Sequence, residues 1–360
     1  MMSRRRFLGL IASLPLLGGS ARAARAGGGS FYYDGPVSDH FDGRRFFNPG
    51  SEAGPRGFGD FLRWQLTESR VPWPDSYPSP YSDEPPARTD PRSVRVTLVG
   101  HATFLVQIGG LNVLTDPVWS TRASPFAFAG PKRYNPPGVA FDALPRIDAV
   151  MISHNHYDHL DLHTLSRLWQ RDRPRMIAPL GNAAIIQAQH PEIEVTSVDW
   201  GDRIALVGPD GAEASIVAEP AHHWSARALG DRNHALWASY VIRSASRTVY
   251  FAGDCGFGGG RNFHSIAQQH PRMDLALLPI GAYEPRWFMK EQHMNPEDAV
   301  QAFRILDPQR AIGFHWGTFR LTNEGVDEPA RDLQQALADQ RIDPARFVAA
   351  LPGQVWQVLS

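Results

Sequence analysis

One short segment constrains this chain more than any other, because it places three histidines and an aspartate within six positions. Residues 154–159 read His-Asn-His-Tyr-Asp-His. Imidazole and carboxylate groups at this density are costly to bury unless a cation neutralises and orients them. The segment follows the apolar run 147–152, which predicts a short buried strand. Because α/β sheets place ligand chemistry beyond the carboxyl ends of their strands, we expect a metal site here.

The N-terminus has a different character from the rest of the chain. Residues 3–8 read Ser-Arg-Arg-Arg-Phe-Leu and lead into an apolar run, a pattern typical of a twin-arginine export signal, and small residues at 21–26 offer cleavage sites. An uncleaved membrane anchor is the alternative, but roughly ten apolar residues are too few to span about 30 Å of hydrocarbon. We therefore predict a signal peptide over residues 1–26 and a periplasmic or exported protein.

Charge and cysteine content exclude some classes of protein. The formal net charge is −1, from 36 basic and 37 acidic residues. Removing the five arginines of residues 1–26 leaves 31 basic residues, and the charge becomes −6. This balance predicts no nucleic-acid partner. Cys255 is the only cysteine, so an intrachain disulfide is impossible, and we expect a small buried residue rather than a thiol nucleophile.

The pattern of apolar residues predicts an arm followed by one large α/β domain. Residues 27–92 are rich in Gly, Pro and aromatics, with one helix at 58–69, and we interpret them as an irregular arm packed on the core rather than a separate domain or a disordered linker. Residues 93–360 are predicted to form the main domain, in which strands alternate with helices as in two mixed sheets between helices. Strands are predicted at 94–98, 104–108, 111–115, 149–152, 176–178, 204–206, 214–218, 238–242, 248–252, 275–279, 311–314 and 355–358, and helices at 162–171, 182–190, 263–270, 295–306 and 329–340.

Further candidate ligands lie just past the ends of three other apolar runs. His222 and His223 follow the run ending at 218, Asp254 follows the run 249–252, and His315 follows the run 311–314. Glycines beside Asp254 and His315 let the backbone approach the site closely. Each of these positions is weak evidence alone, but together with residues 154–159 they supply enough donors for two metal ions.

The order of these motifs resembles the metallo-β-lactamase superfamily, whose fold is a four-layer αββα sandwich around a dinuclear metal cleft. Within that superfamily the chain is similar to the N-acyl phosphatidylethanolamine-hydrolysing phospholipase D family. The similarity extends over about residues 40–340, and the segments that carry it are 99–103, 115–117, 122–125, 130–133, 154–161, 280–290 and 315–319.

The resemblance implies two Zn²⁺ ions per chain and assigns seven ligands. One ion would be held by His154, His156 and His223, and the other by Asp158, His159 and His315. Asp254 would bridge the two ions. We choose His223 over His222 because the family's ligand directly precedes a tryptophan, which is Trp224 here.

Other residues are expected around the metals. By the resemblance, His293 stabilises the leaving oxygen near the phosphate, with a surface role as the alternative. Tyr157 is expected to contact the substrate. Asp116 is a candidate acceptor for the N–H of a ligand, or an ordinary turn carboxylate before Pro117.

Lipid tails would need apolar surface near the site. Trp119, Phe126 and Phe128 follow Asp116 and would supply it, unless they serve ordinary packing.

The implied activity is hydrolysis of a phosphodiester. A hydroxide between the two zinc ions would attack phosphorus, releasing N-acylethanolamine and leaving phosphatidic acid. A lactonase or another acyl-bond hydrolase with the same metal pair is the first alternative, since the fold hosts many chemistries. A zinc- or lipid-binding protein without turnover is the second. The partners we expect are a phospholipid or other phosphodiester substrate and peripheral contact with a membrane, and a homodimer stays open.

Overall fold

The computed structural model describes residues 29–51, 57–208 and 211–358. The predicted signal peptide over residues 1–26 lies outside these described residues. Among the described helices, none has the length and hydropathy required to span a bilayer.

The first of two sheets has seven strands in the order β14-β1-β2-β3-β4-β5-β6. Strands β1 to β3 form an antiparallel meander, and β3 to β6 run parallel. The turn between β2 and β3 is Gly109-Gly110, as predicted, and both residues have positive φ, which glycine adopts freely. The strands of this sheet are β1 (Val94–Gly100), β2 (Thr103–Ile108), β3 (Leu111–Thr115), β4 (Ala149–Met151), β5 (Arg175–Pro179), β6 (Val195–Val198) and β14 (Val355–Val358).

The second sheet also has seven strands, in the order β13-β12-β11-β10-β9-β8-β7. Strands β7 to β10 are antiparallel and β10 to β13 are parallel, so both sheets are mixed, which confirms the predicted fold class. Its strands are β7 (Arg203–Val207), β8 (Glu213–Glu219), β9 (Ser239–Ser244), β10 (Thr248–Phe251), β11 (Leu275–Pro279), β12 (Arg310–Phe314) and β13 (Phe347–Ala349).

Alternate side chains of the buried strands separate the layers. In β11, Leu275 and Leu277 face the apolar cluster between the two sheets, whereas Ala276 and Leu278 face the helices outside the second sheet. A third apolar cluster joins the first sheet to helices α2 and α3. Three clusters between four layers give the predicted αββα sandwich. The helices are α1 (Phe58–Thr67), α2 (Leu162–Asp172), α3 (Asn182–Gln189), α4 (Arg261–Gln269), α5 (Arg286–Met289), α6 (Pro296–Leu306) and α7 (Glu328–Asp339).

Residues of the N-terminal arm pack directly on the core. Phe41 and Phe46 are each 1% exposed and belong to the same apolar cluster as Tyr250 and Phe263. Near the arm's start, Tyr32 donates a hydrogen bond to Asp231, with 2.8 Å between oxygen atoms. The arm therefore reaches the loop that follows β8. The predicted boundaries of the arm and of the main domain stay predictions.

Strand direction brings the polar loops to one edge of each sheet. In the first sheet, β1, β3 and β4 share a direction, and in the second, β8, β10 and β12 do. The loops beyond these six carboxyl ends carry all the predicted metal ligands. Such an edge is where open α/β sheets place their ligand sites.

Candidate metal centre

The seven predicted ligands converge from four loops of the two sheets. Residues 154–159 follow β4, and His223 follows β8. Asp254 follows β10, and His315 directly follows β12. All except the half-buried His156 are buried, and they form compact groups with three or four ligand atoms within 4.8 Å of one another.

The first group contains three histidines and one carboxylate. His154 Nε2 lies 2.7 Å from His156 Nδ1, and His223 Nε2 lies 3.5 Å from the same His156 nitrogen. Asp254 Oδ2 is 3.9 Å from His154 Nε2 and 3.8 Å from His223 Nε2. Four donor atoms thus point into one small volume.

The second group contains Asp158, His159 and His315. Nε2 of His159 and Nε2 of His315 lie 3.2 Å apart. Asp158 Oδ2 is 3.4 Å from the His159 nitrogen and 3.5 Å from the His315 nitrogen. This group sits beside the first, since His154 and His159 have ring centroids 4.2 Å apart.

Asp254 reaches both groups. Besides its contacts to the first, its Oδ2 lies 3.2 Å from His159 Nε2 and its Oδ1 lies 3.0 Å from His315 Nε2. A single carboxylate therefore faces both groups of ligand atoms.

His101 joins the second group, although it is not among the predicted ligands. Its Nε2 lies 2.9 Å from Asp158 Oδ2, and its ring centroid is 4.0 Å from that of His315. His101 directly follows β1, so the rule that found Asp254 and His315, a polar residue just past an apolar run, would also have found it. It is a further candidate ligand or an anchor for Asp158.

The structure separates the neighbouring histidines 222 and 223. His223 is 2% exposed and lies in the first group, and its Nδ1 donates to the backbone carbonyl of Gln292 at 2.9 Å. His222 instead lies against Gly258, where an added Cβ would come within 2.9 Å of the His222 ring. Only His223 therefore faces the other predicted ligands.

Asp116 and Ser153 fix the orientation of two histidines. His159 Nδ1 donates to Asp116 Oδ2 at 2.7 Å, leaving Nε2 free to face the cluster. Asp116 also accepts from the backbone N–H and the hydroxyl of Ser153, each at 2.6 Å, and the Ser153 hydroxyl oxygen lies 2.9 Å from His154 Nδ1. Contacts of this kind hold metal-binding imidazoles in place and set their tautomer.

Arg227 stabilises the loop of residues 154–159 through hydrogen bonds to its backbone. Its Nη1 donates to the carbonyl oxygens of Asn155 and Leu160, both at 2.9 Å. Asp231 in turn accepts from the backbone N–H of Arg227 at 3.1 Å and from the Tyr32 hydroxyl. The loop is thereby closed at both ends by one guanidinium group.

Close backbone packing at the site depends on glycine and on unusual dihedral angles. His101, Asp116 and His315 all have positive φ, at 58°, 36° and 69°. Non-glycine residues in this region concentrate at functional sites, because the surrounding contacts must hold them there. Gly253, beside Asp254, also has positive φ, and a Cβ there would lie 2.8 Å from the Ser153 Cβ.

Burial keeps the histidines of the first group neutral. It lowers the pKa of His156 to about 3 and holds the pKa of His154 and that of His223 well below the usual value. A neutral imidazole is the form that binds a metal ion.

The two carboxylates reverse this trend in the second group. Burial acts to lower the pKa of His315, but Asp254 and Asp158 outweigh it and raise that pKa to about 9. Burial likewise opposes protonation of His159, yet Asp254 and Asp158 raise its pKa well above the usual value. The negative charges of Asp254 and Asp158 thus favour a positive charge beside them. A divalent cation would supply that charge while both imidazoles stay neutral ligands.

The donor set fits zinc. Histidine nitrogen and carboxylate oxygen are ordinary zinc ligands, and two nitrogens of a tetrahedral zinc site with bonds of 2.0–2.1 Å lie roughly 3.3 Å apart. The separations of 3.2 Å between His159 and His315 and 3.5 Å between His156 and His223 match that spacing, whereas the 2.7 Å between His154 and His156 is shorter. These residues therefore suit metal ions.

His293 lies at the wall of the same centre. Its Nδ1 is 3.9 Å from Asp254 Oδ2, and its ring centroid is 5.2 Å from that of His223. The side chain is 11% exposed. It is brought there by the short segment between α5 and α6.

Two other predicted site features have partners within the protein. The Tyr157 hydroxyl donates to the carbonyl of Arg227 at 3.1 Å, and the Arg227 guanidinium stacks 4.0 Å above the Tyr157 ring. Trp119 packs edge-on against Phe141 and donates its Nε1–H to Val139, so it serves packing. Phe126 and Phe128, by contrast, are exposed.

Comparison with known proteins agrees with this fold and centre. Residues 111–316 match the Beta-lactamase superfamily domain. Igni18, a metallo hydrolase from the archaeon Ignicoccus hospitalis, has a similar structure with a TM-score of 0.54 and 20% identity, over 74% of this chain and 99% of Igni18. The fold and the ligand groups therefore define a metal-dependent hydrolase of this superfamily.

Two curated relatives identify the family within this superfamily to which the chain belongs. The N-acyl-phosphatidylethanolamine-hydrolyzing phospholipase D 1 of Caenorhabditis elegans is 40% identical over 269 residues, covering 72% of this chain and 75% of the relative. The mitochondrial enzyme of the same name from Saccharomyces cerevisiae is 33% identical over 240 residues, covering 66% of this chain and 50% of the relative. The chain belongs to the family of the N-acyl-phosphatidylethanolamine-hydrolysing phospholipases D within the metallo-β-lactamase superfamily.

Proposed function

We propose that the protein is a phospholipase D-type phosphodiesterase with two zinc ions. It cleaves N-acyl phosphatidylethanolamine-like lipids to N-acylethanolamine and phosphatidic acid. The observation that carries the proposal is the position of Asp254, which faces both ligand groups at 3.0–3.9 Å and so supports a paired centre. The relative from Caenorhabditis elegans, named for this hydrolysis, supports the choice of substrate.

His154, His156, His223 and Asp254 would hold one ion, and Asp158, His159, His315 and Asp254 the other. When bound, a pair of cations supplies a water of lowered pKa and positive charge for the oxygens of a displacement at phosphorus. Asp116 and Ser153 keep the imidazoles turned inward, and Arg227 keeps the ligand loop closed. The chain's own contribution is thus a rigid donor set that needs no rearrangement when the substrate arrives.

His293 is suited to hydrogen bonding at the reacting phosphate. Burial lowers its pKa to about 4, so the ring is neutral near pH 7. A neutral imidazole still carries one N–H, which donates to an oxygen of the phosphate or of the departing alcohol. Tyr157 remains a proposed substrate contact through its ring, because its hydroxyl is bonded to Arg227.

The test compares two substrates with the purified mature protein. Zinc-loaded and chelator-treated protein are each given detergent-dispersed N-acyl phosphatidylethanolamine or an acyl lactone, and products are identified by mass spectrometry. We expect equal amounts of N-acylethanolamine and phosphatidic acid, lost on chelation and restored by zinc. Turnover of the lactone without turnover of the phospholipid would replace the proposal with an acyl-bond hydrolase. Turnover of neither substrate would indicate a binding protein.

A further inference from the structure

Phe126 and Phe128 form an exposed aromatic pair at the tip of a hairpin-like loop. We call residues 121–133 the aromatic hairpin. Phe126 is 38% exposed and Phe128 is 78% exposed, and their ring centroids lie 5.6 Å apart. Single exposed apolar residues are common on protein surfaces, but two adjacent large rings at the tip of one loop form a small apolar patch that water solvates poorly.

The aromatic hairpin is held in shape by its own hydrogen bonds. The Ala123 N–H donates to Pro131 at 3.0 Å, and the Arg133 N–H donates to Thr121 at 2.8 Å, which pairs the two arms. Within the tip, Arg122 donates through Nε to the Ala127 carbonyl at 3.1 Å and through Nη1 to the Gly130 carbonyl at 2.6 Å. The two rings are therefore presented by a preformed loop, and little entropy is lost when they bind a surface.

The base of the aromatic hairpin is fastened to the metal centre. Tyr134, just past the hairpin, donates its N–H to the Thr318 carbonyl at 2.9 Å, three residues after His315. Ala123 packs against Phe319, whose ring centroid lies 5.1 Å from that of His101. A surface bound by the tip would thus be held at a fixed distance from the metal ligands.

The charges of the aromatic hairpin indicate which kind of surface it binds. Residues 117–141 contain no acidic residue. Of the three basic residues there, Arg133 is turned inward and donates to the carbonyls of Val118 and Ser120. Arg122 and Lys132 donate to backbone carbonyls, and neither has a carboxylate partner among the ion pairs of the described residues. Apolar rings flanked by unneutralised cations suit the interface of an anionic phospholipid bilayer.

We propose that the aromatic hairpin docks the protein on anionic phospholipid bilayers by inserting Phe126 and Phe128 among the lipid headgroups. The tip places the metal centre beside the layer that holds its substrate, so this inference rests on the proposed function. Other occupants of the tip, such as a second copy of this chain, are outcomes of the test below.

The test measures flotation of the mature zinc-loaded protein with vesicles that contain no N-acyl lipid. Vesicles of phosphatidylcholine alone are compared with vesicles that also contain phosphatidylglycerol. We expect stronger binding to the anionic vesicles, weakened by salt. The double variant Phe126→Ser, Phe128→Ser should bind about ten- to a hundredfold more weakly, since each ring is only partly buried among the headgroups and contributes about half to one power of ten in partition. Val207→Ser, which changes an isolated residue that is 75% exposed, is the matched control and should bind like the wild type.

Activity on a soluble phosphodiester separates this inference from the proposed function. The double variant should keep wild-type turnover of bis(4-nitrophenyl) phosphate, which has no acyl tails for Phe126 and Phe128 to contact, and should lose turnover of phospholipid in vesicles. Wild-type protein that binds anionic vesicles but hydrolyses no phospholipid would remove the proposed function and leave the docking surface in place. Equal flotation of the wild type and the double variant, or equal binding to neutral and anionic vesicles, would overturn the inference. A dimer in sedimentation that is lost in the double variant would assign the tip to a second copy of the chain and also overturn it.

Discussion

Asp254 is the single residue on which both halves of the centre depend. We expect Asp254→Ala to lose most of the bound metal and to lower turnover by more than about a hundredfold. Loss of a residue that only supports a ligand costs about 10- to 100-fold, and loss of a shared ligand should cost more. Metal content by mass spectrometry and turnover of the phosphodiester measure this. The variant should still fold, because the sheets are packed independently of the side chain. Wild-type metal content in the folded variant would contradict the bridging position.

Asp116 contacts the ligand groups through hydrogen bonds from His159 and Ser153. Asp116→Ala removes the acceptor for His159 and for Ser153, so we expect metal affinity to fall by about 10- to 100-fold. Competition with a chromogenic chelator measures the affinity. Asp142, whose side chain is 96% exposed, provides the matched control, and Asp142→Ala should leave affinity unchanged. Equal affinities for the two variants would show that Asp116 is only a turn carboxylate.

The ligand residues were accessible from the sequence because each follows an apolar run. Asp254 and His315 were found in this way, and the resemblance to the family then gave their order. His101 was missed although it follows β1, since one histidine after one strand is weak evidence. The contacts of Asp116 with Ser153 could not be predicted in detail, because they arise from the parallel pairing of β3 with β4.

Among the elements, the loop after β4 owes its shape to a neighbouring loop. Arg227 donates to the carbonyls of Asn155 and Leu160, and Arg227→Ala would leave both acceptors without this donor. We expect the free energy of unfolding of the zinc-loaded protein to fall by about 1–3 kcal/mol. Urea denaturation measures this change.

A surface arginine gives the matched control for that experiment. Arg331 is 64% exposed, and within the part of the chain that the structure describes its guanidinium pairs with Asp327 alone, one helical turn away, so Arg331→Ala should cost less than about 1 kcal/mol. If Arg227→Ala were as mild as Arg331→Ala, the contacts of Arg227 would not stabilise the ligand loop.

Elements with strong local signals were predictable, and short ones at the margins were not. The start of α6 was evident from Asn295 and Pro296, and the structure shows the Asn295 side chain accepting from the Asp298 N–H at 2.9 Å. Strand β6 is mostly half-buried or exposed, so it lacks the apolar run that revealed the central strands. Strand β13 lies in the short apolar run 347–351 and was missed, because a run of that length does not distinguish a strand from part of a buried helix. Helix α5 spans a single turn and has no helical period to detect.

At the scale of the whole molecule, the fold determines where the ligand groups lie but does not determine which substrate binds there. Two mixed sheets bring six strand ends to one cleft, and the superfamily uses that cleft for many reactions. Apolar runs predicted two mixed sheets between helices, and the resemblance to the superfamily supplied the four-layer order that the structure shows. The site of bond cleavage depends on how a substrate lies against His293 and the metal ligands, which no local sequence pattern determines. The signal peptide over residues 1–26 likewise stays a prediction.

Hydrolysis in water labelled with ¹⁸O tests the central claim most directly, because the label records which atom is attacked. Zinc-loaded protein is incubated with N-acyl phosphatidylethanolamine, and both products are weighed by mass spectrometry. Attack at phosphorus breaks the bond between phosphorus and the oxygen of N-acylethanolamine, so one ¹⁸O should appear in phosphatidic acid and none in N-acylethanolamine. Label in a released fatty acid, or in N-acylethanolamine, would contradict hydrolysis at phosphorus.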